Sequence, residues 1–238
     1  MPDETDLVRA GVEGVAKGTV DSLLEPVKQL TGEFCAEVGT AGGYIGKLIR
    51  LKTWLWTMRR AKQILAEAGI EPANVPPKLF LPIMEHASLE DDETLQEKWA
   101  ALLANAANPN AKPGVHIAFA GILKDLSPEE ADLLNCIHAH VRSEIVKRNL
   151  PWRAVSAPEI DLEEAMQGYG TIHVLDWSEL VPMIENLNAL GLVDIDVEYY
   201  LLGHKEAAFQ SNRPHCCMTS LGFGFISACQ PPGSAWKQ

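Results

Sequence analysis

The chain has 238 residues, 47% of them apolar and 22% charged, and its 20 basic against 32 acidic side chains give a net charge of −12. That length is more than one compact core needs and suits two domains, while the ordinary apolar fraction excludes wholesale disorder. The acidic balance excludes a surface that binds nucleic acid or anionic lipid as a whole, so anion recognition has to be local.

The opening MPDETD has no basic stretch followed by an apolar one, which argues against a signal peptide. No run of about eighteen apolar residues occurs, so no conventional membrane span is expected. The five cysteines, Cys35, Cys136, Cys216, Cys217 and Cys229, are odd in number and not spaced as a disulfide framework, which fits a reducing cytoplasm.

Residues 7–46 combine helical-length apolar patterning with Gly11, Gly14, Gly18, Gly32, Gly39, Gly42, Gly43 and Gly46. Each glycine inside a helix costs up to about 1 kcal/mol relative to alanine, so packing has to compensate. The pairs Gly14/Gly18, Gly39/Gly43 and Gly42/Gly46 let helix backbones approach closely. They fit a tight contact in a soluble bundle, or, as the sharper reading, a segment that enters a membrane or assembles into an oligomer. Pro26 divides the region.

Tyr44 to Lys62 carries Lys47, Arg50, Lys52, Arg59, Arg60 and Lys62 and no acid. Trp54 and Trp56 are interleaved with those bases. In a chain of net −12 this local reversal marks a membrane- or partner-binding segment. The competing account pairs the bases with the acids of residues 85–97 across a helix contact, the tryptophans filling the core.

Residues 69–82 hold four prolines and read as an extended connector, followed by a short helical piece around Ile83 to Ala87. Ser88 to Asn108 reads as the best specified helix, with Ser88 as N-cap, Asp91 as its reciprocal carboxylate, and Glu90 to Glu93 at the positive end of the dipole. Leu95, Trp99, Leu102, Leu103 and Ala106 draw one buried stripe, and Asn108-Pro109 ends the helix. A turn-rich loop and a short apolar helix over about 116–126 come next. Ser127-Pro-Glu-Glu then opens a helix to about Lys147, with Ala131, Leu134, Ile137, Val141 and Ile145 inward. Residues 151–158 read as a linker and 159–168 as a short helix. A third helix runs from Asp176 to a Gly191 cap, followed by an alternating strand in LVDIDVEYYL, its partner in CCMT, and a last helix over 220–229. The fold class is therefore mainly α (α+β), a helical region at 1–126 followed by a winged-helix-like domain at 127–238.

The segments PPKLFLPIMEHASLEDDETLQEKWAALLANAANP and HIAFAGILKDLSPEEADLL resemble the Abi-alpha family, a group named for abortive infection against phage. The residues that carry the likeness are Pro77, Lys78, Pro82, Glu85, the acidic cap, Trp99-Ala100 with Leu102-Leu103-Ala104, and Leu123 through Leu126-Ser127-Pro128 to Glu130-Ala131. It covers roughly residues 40–135. The resemblance implies a bacterial defence protein and brings no catalytic constellation to transfer.

Cys136-x-His138-x-His140 reads as a core cysteine with helix-surface histidines, because no further ligand completes a tetrahedral set. His215-Cys216-Cys217 reads as strand, since neighbouring side chains point oppositely. No phosphate loop, dinucleotide fingerprint, HExxH or GxSxG occurs, so the expectation is no catalytic residues, no metal and no cofactor. The third helix, Asp176 to Leu190, has no basic residue, and residues 127–238 sum to 7 minus 15, or −8. That argues against binding double-stranded DNA and for a protein-binding or dimerising module.

Together these features predict a cytoplasmic, non-enzymatic antiphage effector that forms homo-oligomers, with a protein partner or phage trigger of unknown identity. It acts peripherally at the anionic inner membrane through Lys47, Arg50, Lys52, Trp54, Trp56, Arg59 and Arg60. Gly39, Gly42, Gly43 and Gly46 serve helix packing, and Leu95, Trp99, Leu102 and Leu103 the core. The alternatives are a winged-helix transcriptional regulator or protein-interaction adaptor, which salt-dependent, sequence-selective DNA binding would separate from the first reading, and a toxin-like enzyme, which a single essential polar residue would reveal.

Overall fold

A computed structural model describes residues 44–111, 114–149, 160–161, 177–195 and 215–233 of the chain. Pro26, Gly39, Gly42, Gly43 and the 151–158 linker lie outside these. The described elements run α1 (Tyr44–Glu67), α2 (Pro77–Ala87), α3 (Glu93–Ala107), α4 (Ala118–Lys124), α5 (Pro128–Lys147), β1 (Ile160–Asp161), α6 (Trp177–Ala189), β2 (Val193–Ile195), β3 (His215–Met218) and α7 (Ser220–Ala228). The protein is mainly helical with a small antiparallel sheet. Its described residues fall into two compact units, one running up to Gly121 and resuming at Ala228, the other between Ile122 and Ser227. That division lies a few residues before the 126/127 boundary read from the sequence, and it places residues 228–233 in the first unit.

In the first unit α1, α2 and α3 pack on one another, and the α1–α3 contact is the most extensive. α1 contributes Met58, Ala61, Ile64 and Leu65, and α2 contributes Phe80, Ile83, Met84 and Ala87. α3 contributes Leu95, Trp99, Leu102 and Leu103 together with Ala100, Ala101, Ala104 and Ala107. A single stripe was expected on α3. Its middle is instead buried all round, and alanine on the remaining faces is what lets neighbouring backbones close in.

Three local expectations need correction here. α3 starts at Glu93 with Asp92 as N-cap, whose Oδ1 accepts from Leu95 N at 2.9 Å. Ser88 closes α2 instead, its Oγ donating to Glu85 O at 2.7 Å. Glu90 is then drawn into the turn: its Oε1 accepts from the amides of Asp91 and Asp92, and its Oε2 accepts from Trp99 Nε1 at 3.3 Å. The proline-rich connector is shorter than expected, because α2 begins at Pro77, where a first-turn proline lacks only an amide that would be unpaired anyway, and continues through Pro82. Residues 160–161, expected in a short helix, form β1.

In the second unit Ser127 and Glu130 make the complete reciprocal capping box, with Glu130 N to Ser127 Oγ at 3.1 Å and Ser127 N to Glu130 Oε2 at 2.8 Å. The other carboxylate oxygen of Glu130 accepts from Asn186 Nδ2 at 2.9 Å, and the same Nδ2 donates to Asp125 O at 3.1 Å, which ties α6 to the start of α5. Leu180, Ile184 and Leu187 form the buried face of α6. The helix ends as the glycine foretells: Gly191 takes φ +70°, and Leu192 N bonds back to Leu187 O at 3.0 Å. The sheet order is β1-β3-β2, with Val193 opposite Met218, Ile195 opposite Cys216 and Ile160 opposite Cys216. Val193 and Ile195 point inward and Asp194 outward.

Candidate functional site

An α-helix turns by about 100° per residue, so burial along α1 sorts its residues into faces. Thr57, Met58, Ala61, Ile64 and Leu65 are buried and define the inward face. Thr57 is tolerated there because its hydroxyl donates to Thr53 O at 3.0 Å. Trp54 lies on the same inward side, and its ring meets Phe80 edge-on, with centroids 6.4 Å apart and planes at 86°. The opposite face carries Lys52 and Arg59, both exposed, with Trp56 half-buried between them and exposed Lys62 on its flank.

Arg60 sits between the two faces. Its Nε donates to both carboxylate oxygens of Glu97 on α3, each at 2.9 Å, and its Nη1 lies 3.8 Å from Glu67. Arg60 is thus held across the α1–α3 contact, as the competing account of the basic segment required of at least one base. Arg50 is exposed in the first half of the helix. Gly46 and Lys47 belong to the first turn of α1. The six bases and two tryptophans that the sequence grouped together therefore part company. Lys52, Trp56 and Arg59 share the outward face, whereas Trp54 is turned to Phe80 and Arg60 is paired with Glu97.

Two further arrangements escaped the sequence. Asn105 is buried on α3, and its Nδ2 points at three backbone carbonyls, Ala101 O at 3.1 Å, Ala228 O at 2.9 Å and Gln230 O at 2.7 Å. A polar residue in an otherwise apolar run was the only available signal. His138, expected on the helix surface, is a correction: it is 5% exposed and has its ring 5.6 Å from that of Phe223. Its Nε2 is buried without a hydrogen-bond partner. Burial, with Arg142 adding to it, lowers its pKa to about 4.

Burial pushes the Cys136 thiol up to about 11, with Asp132 adding to it, and the Cys216 and Cys229 thiols up to about 12. These thiols stay protonated at neutral pH and are poor nucleophiles. Among the described residues no group of three histidine, cysteine or acidic side chains is placed to hold a metal ion. No helix among them is long and apolar enough to cross a membrane.

What these features define is a class: a mainly helical protein with a small antiparallel sheet, whose first described helix carries one core face and one basic face. The abortive infection alpha profile matches residues 55–229, well over half of the chain. The chain belongs to the abortive infection alpha family. No match was found among curated proteins or among solved structures.

Proposed function

We propose that the protein is an antiphage defence protein of the abortive infection type, and that it acts as a non-enzymatic effector at the inner face of the cell membrane through the exposed basic face of α1. The family name supports the defence role. The observation that carries the mechanism is the outward placement of Lys52, Trp56 and Arg59 on a chain of net charge −12. Lysine or arginine near an anionic leaflet contributes about 1 kcal/mol each, a local gain confined to within about a Debye length of the surface.

The second unit is read as a winged-helix-like interaction module. The order helix, strand, helix, strand, strand with sheet order β1-β3-β2 supports this. The absence of any basic residue from Asp176 to Leu190 favours a protein partner, or a second copy of the chain, over duplex DNA.

The test is phage challenge of cells expressing the protein, with plaque counts and a membrane-potential dye read in parallel. Defence accompanied by early loss of potential in infected cells is expected. Defence with potential intact until lysis would overturn the membrane mechanism, and no reduction of plaques across a broad phage set would overturn the defence role.

A further inference from the structure

We propose that the membrane contact is made by a single short patch, Lys52, Trp56 and Arg59, which takes the phosphate of anionic phospholipid headgroups. This rests on the membrane reading above and specifies it. The three residues stand at i, i+4 and i+7 on the side of α1 turned away from Met58, Ala61, Ile64 and Leu65, and they span about 10 Å along the helix axis. No acidic residue occurs between Tyr44 and Lys62 to neutralise them. Arg60 is excluded because Glu97 already holds its guanidinium through two 2.9 Å contacts, and Trp54 because its ring is committed to Phe80.

The chemistry of the patch names its partner. Two cations flanking an indole match an interface in which phosphates lie beside the boundary where indoles are favoured. Soluble polyanions offer the phosphates without that boundary, and the remaining acidic surface repels an extended nucleic acid. Trp56 is already half-buried and α1 is packed on its other side, so the contact is shallow, peripheral and screened by salt.

Flotation of the full-length protein with vesicles tests this. Wild type is expected to float with phosphatidylglycerol-containing vesicles and not with phosphatidylcholine alone, and to be released at high salt. K52Q/R59Q should weaken partition by about twenty-five-fold, about fivefold for each charge removed. K52R/R59K should bind as wild type does, and R60Q/E97Q, which removes a neutral pair, should leave binding unchanged. Vesicle addition should shift tryptophan emission to the blue in W54F and not in W56F.

Flotation of K52Q/R59Q equal to wild type would overturn this patch while leaving the membrane reading in place. Failure of wild type to float on anionic vesicles, or its capture by soluble polyphosphate alone, would overturn both. A lowered thermal midpoint in K52Q/R59Q that K52R/R59K restores without restoring flotation would assign the two residues a structural role, and that too would overturn the proposal.

Discussion

Gly222 lies in the first turn of α7 against the backbone of Leu192. A Cβ built there would run into the Leu192 carbonyl oxygen and stand 3.0 Å from its carbon and 3.2 Å from Met218 Cγ. Thr219 fixes this approach: its amide donates to Leu192 O at 3.1 Å, its hydroxyl donates to Gly191 O at 2.6 Å, and its Oγ1 accepts from Gly222 N at 2.9 Å. Because the obstacle is backbone, Gly222→Ala should destabilise by about 3 kcal/mol, at the upper end for overpacking. An unchanged thermal midpoint would show that the α7 docking relaxes freely.

His138 makes a second prediction at the same scale. Its folded pKa of about 4 lies below the ordinary value of about 6.5, so the unfolded chain binds a proton that the folded one refuses. The stability it allows is complete above pH 6.5 and falls as pH drops from there toward 4, by at most about 1.4 kcal/mol per pH unit. His138→Gln should flatten the decline of the thermal midpoint over that window relative to wild type. Parallel curves would mean that the buried ring does not titrate as its surroundings demand. The Cys136-x-His138-x-His140 spacing placed His138 on another face from Cys136 and His140, and that face is also covered; the ring of Phe223 on α7 lies against it, a contact that local spacing cannot show.

Between elements, Asn105 is the most specific contact. One amide nitrogen serves carbonyls on its own helix and at the end of α7, 123 and 125 residues away. The Ala228 and Gln230 carbonyls lie at and just past the end of α7, where the last acceptors lack partners within the helix. Asn105→Ala leaves them unpaired and should lower stability by about 1–3 kcal/mol, with faster carboxypeptidase digestion of the C-terminal residues. Asn105→Asp, which swaps the donor for a charged acceptor facing carbonyls, should be worse than alanine. The reverse ranking would mean that volume matters here and hydrogen bonding does not. The α5 capping box was readable because Ser127 and Glu130 satisfy each other within one turn. The start of α3 was misplaced because Ser88 and Asp92 are both competent caps, and the choice fell to a Glu90 side chain that reaches Trp99 and frees Ser88 to finish α2.

Across the whole molecule, charge is segregated: six bases and no acid over residues 44–62, against −8 over residues 127–238. That segregation is a property of the chain in any conformation, and so are the periodicities behind α5, α6 and the β2–β3 pairing. The sequence by itself therefore determined the mainly helical class, the Ser127 helix start, the Gly191 stop and the existence of a basic segment. Each follows from rules that act over about four residues along the chain. Only the tertiary structure decided which bases face outward. The answer turns on Glu97, 37 residues from Arg60, and on Phe80 beneath Trp54. It also decided that residues 160–161 pair as a strand with β3 and that the middle of α3, Trp99 to Asn105, is enclosed on every side. These depend on contacts between segments far apart in sequence, which the packing of the whole fold specifies and no local pattern encodes.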